Sequence, residues 1–161
     1  MQDALQKALY AFATQSGAAT KLTVFCASYL VFVMALAWLA AAFVARRQLT
    51  LDVVARIIIM VVLSLVVAKV LNHVVHDPRP YLSDHETALS SVSNDNGFPS
   101  DHVLMASALT ASLVWINRRL ILPFAVLTVF VMLGRLGIAA HHTIDVLGSA
   151  AIVVVLTAII S

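Results

Sequence analysis

Hydrophobic and polar positions alternate along this chain in long blocks rather than in the short periods of a soluble domain. Leu22 to Ala45 contains no charged residue and exceeds the ~20 apolar residues that cross a bilayer. Ile57 to Val75 is a second apolar run, Val103 to Ile116 a third, Leu120 to Leu133 a fourth and Thr143 to Ile160 a fifth. The pattern predicts an all-α integral membrane protein, a bundle of about five transmembrane helices forming one domain over 1–161. Pro78 should end the second helix, because the residue before a proline is pushed out of the helical region. Ser100, preceded by Pro99, is a good N-cap for the third, and Pro123 suits the first turn of the fourth. Residues 1–19 are mixed. Leu5, Leu9 and Phe12 fall on one stripe there, which predicts a short N-terminal interfacial helix. The start is too weakly basic, and the apolar run after it too long, for a cleavable signal peptide.

Composition agrees with the pattern. The 161 residues are 61% hydrophobic and 11% charged, against about 25% charged in soluble domains. The net charge of +2 is small and scattered, which excludes the clustered basic footprint of a nucleic-acid binder. Cys26 stands alone in an apolar run, so no disulfide framework exists and the residue reads as a buried small hydrophobe. Tyr29 and Trp38 read as lipid or helix contacts. Arg46, Arg47, Arg118 and Arg119 fall at turns on one side, which the positive-inside rule makes cytoplasmic. The N-terminus is then expected outside and the C-terminus inside, with every other polar cluster on the outer face.

Those polar clusters change the picture from a plain bundle to a site. Lys69, Asn72, His73 and His76 lie at i, i+3, i+4 and i+7, one polar stripe on the second helix; hydrogen bonding between helices is its plainest use. Asp77 to Pro99 is polar, with Ser83, Asp84, His85, Glu86, Ser90, Ser91, Ser93, Asn94, Asp95, Asn96 and Gly97. A connection of that length is usually functional or disordered. Between the fourth and fifth runs stand Arg135, His141, His142 and Asp145. An ionised side chain at a membrane helix centre costs roughly 2.5–3.5 kcal/mol, so such residues default to function. His141 and Asp145, at i and i+4, share a helix face, where the carboxylate can hold the imidazole's tautomer.

The residue types point to phosphate chemistry. Arg79 and Arg135 are fork-shaped cations suited to phosphate oxygens, and a helix beginning at Ser100 directs free N–H groups at an anion. With His102 as a second imidazole, one histidine can attack phosphorus while the other protonates the leaving oxygen. Metal binding by His102, His141 and Asp145 is the rival, weakened because two arginines would repel a cation. A haem-binding bundle with paired histidines is another, and it leaves both arginines and Ser100 without a role.

Arg79-Pro80, then Pro99-Ser100-Asp101-His102, then Gly134-Arg135 with His141 and Asp145, resemble in order and spacing the three-part signature of the type 2 phosphatidic acid phosphatase superfamily. In that family the parts are a lysine followed by Arg-Pro, then Pro-Ser-Gly-His, then Ser-Arg with a later His and Asp. The resemblance implies a metal-independent, cofactor-free lipid phosphatase built on a helical bundle. It implies His141 as the nucleophile that forms a phosphohistidine, Asp145 as its orienting partner and His102 as general acid. Arg79, Ser100 and Arg135 resemble the phosphate-binding residues. The family lysine falls at Asn72. Lys69 lies about 15 Å from Arg79 along a helix at ~1.5 Å per residue, so Asn72 is the provisional phosphate ligand, with His73 and His76 as alternatives. Asp101 replaces the usual glycine and Gly134 the usual serine. Asp101 favours a helix start but adds negative charge beside an anion, so it either points away or tunes the substrate.

Within the superfamily the small size and the Phe98-Pro99-Ser100-Asp101-His102 wording most resemble the bacitracin-resistance type of undecaprenyl diphosphate phosphatase. That implies a bacterial inner-membrane enzyme facing the periplasm, with a polyprenyl diphosphate as substrate. Phosphatidylglycerophosphate, phosphatidate and lipid A phosphatases share the same blocks. His142 is expected at the interface or behind the reacting residues.

Overall fold

A computed structural model describes residues 3–84, 86–92 and 94–161; His85 and Ser93 of the polar connection lie outside the described residues. The described chain is helical. Helix α1 covers Ala4–Thr14, α2 Gly17–Val44, α3 Leu51–Val74, the short α4 Pro80–Ser83, α5 Asp101–Ile116, α6 Ile121–Gly137 and α7 Thr143–Ile160. α2, α3, α6 and α7 are long and apolar enough to cross a membrane, and α5 is a shorter apolar helix. Phe32, Leu36, Leu39 and Phe43 of α2 and Val62 and Leu65 of α3 are exposed, as lipid-facing side chains of such helices would be.

The predicted C-terminal ends lie close to those observed, while α2 and α3 begin earlier than predicted, at Gly17 and Leu51. α3 ends at Val74, with Val75 already extended ahead of Pro78. α6 begins after a 3₁₀ turn over Arg118–Leu120, and Pro123 sits in its first turn. The core joins α2, α5, α6 and α7 through Val31, Met34, Val103, Leu113, Val131 and Val146. Trp38 donates from its indole N–H to Ser112 Oγ at 2.8 Å, a helix contact. Tyr29 is exposed, and Cys26 is half-buried.

α1 is the short N-terminal helix expected, and its apolar stripe is left largely outside the bundle, as an interfacial helix would have it. Leu5 and Phe12 are exposed, while Gln6 and Ala13 are fully buried. The helix packs on α6 at the end of the bundle, where Gln6 Nε2 reaches Glu86 Oε2 at 2.7 Å and the Leu136 carbonyl at 3.4 Å. An amide that finds acceptors can be buried in this way on the face next to the apolar stripe. A π turn over Phe25–Tyr29 within α2, which the sequence did not predict, brings its backbone against Gly134.

That crossing accounts for Gly134. A Cβ there would lie 2.5 Å from the Ala27 nitrogen and 2.8 Å from the Cys26 carbonyl carbon. Both are backbone atoms that cannot rotate aside, so even the serine usual at this position has no room. Gly134→Ala should destabilise the protein by about 1–3 kcal/mol, the range for overpacking a filled core. A fall in melting temperature in detergent would register this; an unchanged melting temperature would show that the crossing is loose.

Candidate active site

Four helix ends meet at one end of the bundle: the C-termini of α3 and α6 and the N-termini of α5 and α7. Arg46, Arg47, Arg118 and Arg119 belong to the turns at the other end. The connection 75–100 folds back across the polar end and is tied there by backbone and amide bonds. Asn96 accepts from the Asp77 N–H at 2.7 Å through Oδ1 and donates to the Asn72 carbonyl at 2.9 Å. The Gly97 N–H donates to the Asp77 carbonyl at 2.7 Å.

Arg79, Arg135, His141, Asp145 and Ser100 are all buried here, with Asp145 and Ser100 at 0% exposure. Arg79 donates from Nη1 to the Ala140 carbonyl at 3.0 Å and pairs through Nη2 with Asp95 Oδ1 at 2.6 Å. His141 Nε2 lies 3.2 Å from Arg79 Nη1 and 3.1 Å from Arg135 Nη2. Guanidinium groups can only donate, so Nε2 must accept. The ring proton is therefore on Nδ1, which donates to the Gly97 carbonyl at 2.8 Å. His141 thus turns an unprotonated nitrogen toward two cations. Burial first, and then the charges of Arg135 and Arg79, hold its pKa well below the usual histidine value, which keeps the imidazole neutral and nucleophilic.

Asp145 is placed differently from expectation. Its Oδ2 is 3.7 Å from His141 Nδ1, beyond a hydrogen bond, and accepts instead from the His142 N–H at 2.8 Å. The direct orienting contact on His141 is the Gly97 carbonyl, and the carboxylate acts at one remove. Gly97 is required there because a Cβ would lie 2.9 Å from the Asp77 carbonyl oxygen and 3.3 Å from Asp145 Oδ2.

His102, half-buried in the first turn of α5, stands in the field of Arg135 and Arg79 and interacts electrostatically with His141. Ser100 is the N-cap residue of α5, but its side chain makes no capping bond. Its N–H donates to Ser149 Oγ at 2.8 Å, and Ser149 in turn donates to the Asp145 carbonyl at 2.7 Å. Ser100 Oγ and Arg135 Nε are buried without a hydrogen bond among the described residues. Buried donors without partners cost about 1–3 kcal/mol each. A tetrahedral anion beside them would accept from both, so the donor set fits phosphate better than a cation.

Asn72 Nδ2 donates one of its two hydrogens to the Phe98 carbonyl at 2.8 Å and so anchors the connection. The polar stripe divides accordingly: Lys69, His73 and His76 are exposed, and His73 Nδ1 bonds the Lys69 carbonyl of its own helix at 2.8 Å. Asp101 is also exposed and lines an apolar groove, and its charge acts on Arg135. Gly97, Asp95 and Ser149 are the contributors that residue types did not single out. Only Ser149 carried a signal, at i+4 from Asp145 on the same helix face.

Over 93 residues the chain is 27% identical to "Undecaprenyl-diphosphatase BcrC" of Bacillus subtilis (strain 168), a match covering 58% of this chain and 48% of that protein. The chain thus spans about half the length of that relative. No solved structure matches it. The family model described as PAP2 superfamily matches residues 53–161. That range takes in α3 to α7 with every residue gathered around His141, and the chain belongs to the PAP2 superfamily.

Proposed function

We propose that this protein is a membrane lipid diphosphatase that hydrolyses undecaprenyl diphosphate to undecaprenyl phosphate and inorganic phosphate. The observation that carries the reading is His141 Nε2, unprotonated and flanked by two arginine donors at 3.1 and 3.2 Å. A terminal phosphate bridging Arg79, Arg135 and Ser100 Oγ would bring its phosphorus to Nε2. Attack forms an Nε2–P bond as the bridging P–O bond breaks, and His102 protonates the leaving lipid phosphate oxygen. The phosphorylated ring carries positive charge, which the Gly97 carbonyl and the nearby Asp145 carboxylate stabilise. Water activated by the now basic His102 then attacks phosphorus, releasing phosphate and restoring His141.

Support for a lipid substrate comes from the groove beside the site. A cavity of about 350 Å³ runs between α2, α3 and α5 from Asp101 past Leu104 and Met105 to Trp38, with almost wholly apolar walls. It opens where membrane lipid would surround the bundle. The arginine-bearing turns at the opposite end favour a cytoplasmic placement for that end, which supports a site on the outer face of a bacterial inner membrane. A metal ion fits poorly, since Arg79 and Arg135 already direct positive charge at His141 Nε2.

Purified protein should release phosphate from undecaprenyl diphosphate faster than from phosphatidylglycerophosphate, phosphatidate or lipid A, and should do so undiminished in chelator. Preference for another of these lipids would reassign the substrate, and loss of activity with chelator would revive the metal reading. A visible absorption band from bound haem, with no phosphate release, would replace the enzyme by a haem bundle.

A further inference from the structure

Asp77 occupies the turn between α3 and Arg79, and nothing in the reaction above uses it. Its main chain is fixed from both sides, by Asn96 on its N–H and by the Gly97 N–H on its carbonyl. Its carboxyl lies within hydrogen-bonding reach of the Asp145 carboxyl. Asp145 is wholly buried, and its Oδ1 receives no hydrogen bond from any donor among the described residues. Two ionised carboxylates in that contact would repel, and a buried acceptor would stay unsatisfied. One proton between them removes both penalties.

We infer that Asp77 is a positioning residue, whose protonated carboxyl donates to Asp145 so that the two share one proton behind the His141 nucleophile. The inference rests on the phosphatase reading for its consequence, and on the geometry alone for the shared proton. Asp145 then has a donor on each oxygen, Asp77 on one and the His142 N–H on the other, and is held 3.7 Å from His141 Nδ1. The other groups facing Asp77 are His142, with Nε2 3.9 Å from Asp77 Oδ1, and His141. His142 Nδ1 is in turn 3.9 Å from Asp3 Oδ2. Asp3 and Asp84, the latter paired with Lys7 at 3.1 Å, line the same cavity of about 610 Å³ as Asp77 and His142. Asp77 is half-buried at the wall of that cavity. Burial, and after it the Asp145 carboxyl, push the Asp77 pKa up to about 6.

The sign follows. Asp77 keeps its proton below that value and loses it as the pH rises through it, leaving two charged carboxylates that loosen Asp145 and oppose an anionic headgroup. Wild-type kcat/KM for undecaprenyl diphosphate should therefore fall on an alkaline limb with a midpoint near 6, approaching about tenfold per pH unit beyond it. Asp77→Asn offers an amide N–H to Asp145 but cannot ionise, so it should lack this limb and exceed wild type on the alkaline side. Asp77→Ala should be slower than Asp77→Asn throughout. Infrared difference spectra should show a protonated-carboxyl stretch in wild type that disappears on the same midpoint and is missing in Asp77→Asn. An unchanged limb in Asp77→Asn, or the same carboxyl band in that variant, would overturn the assignment. A wild type inactive on every lipid phosphate, yet showing the Asp77-dependent band, would defeat the phosphatase reading and leave the shared proton standing.

Discussion

His141→Ala should abolish phosphate release from undecaprenyl diphosphate, by at least about 10³-fold in kcat, because removal of a covalent nucleophile leaves only binding and electrostatic catalysis. The side chain is 1% exposed, and its ring accepts from two arginines while donating to Gly97, so the variant also leaves a cavity between unpaired cations. His141→Gln is the companion that keeps polar atoms in that space. Both should remain extractable and helical in detergent while failing to retain radiolabelled phosphate on alkaline quenching, which preserves the acid-labile P–N bond of the wild type. Full activity in either would sink His141 as the attacking group. His102→Ala should lose about 10²–10⁴-fold, the usual range for a general acid. Part of that loss should return with an aryl phosphate, whose leaving oxygen needs no proton, and this separates the acid from the nucleophile.

The second large effect is expected at Arg135. Arg135→Lys keeps a positive charge but replaces the planar fork by a point donor. Nη2 faces His141 Nε2 at 3.1 Å, and Nε is a buried donor without a partner among the described residues. One donor lost from the developing charge should cost about 10²–10³-fold in kcat. Arg79→Lys should behave differently. Arg79 also bonds the Asp95 carbonyl and carboxylate and the Ala140 carbonyl, so its replacement should lower melting temperature as well as rate. Equal thermal effects from the two substitutions would contradict this division of labour. So would an Arg135→Lys variant with wild-type kcat.

The same difference separates what residue types reveal from what contacts reveal. Arg79, Arg135, Ser100, His102 and His141 stand out in the sequence because ionisable or capping groups beside apolar runs are costly, and the structure gathers all five at one end of the bundle. Asn72 stood out by the same logic, and one hydrogen of its amide serves the Phe98 carbonyl. Position on a helix stripe says which way a side chain leaves the axis, and not which acceptor reaches it first. Asp95 and Gly97 were visible only as members of a polar connection. Their roles depend on a fold-back that carries a carboxylate to Arg79 and a backbone carbonyl to His141.

The membrane helices, their order and the end of the bundle that carries the chemistry were determined by the sequence itself. Long apolar runs can satisfy their backbone in a bilayer only as helices, and alternating crossings bring the polar ends to one face. Tertiary structure alone decided how α1 docks on the bundle, through the buried Gln6 amide, and the close crossing of α2 with Gly134. It also decided that Gly97 touches His141 while Asp145 stands behind, backed by Asp77. These depend on which of several polar groups, far apart in the chain, arrive within hydrogen-bonding distance. That competition is settled by packing, which hydrophobic periodicity does not encode.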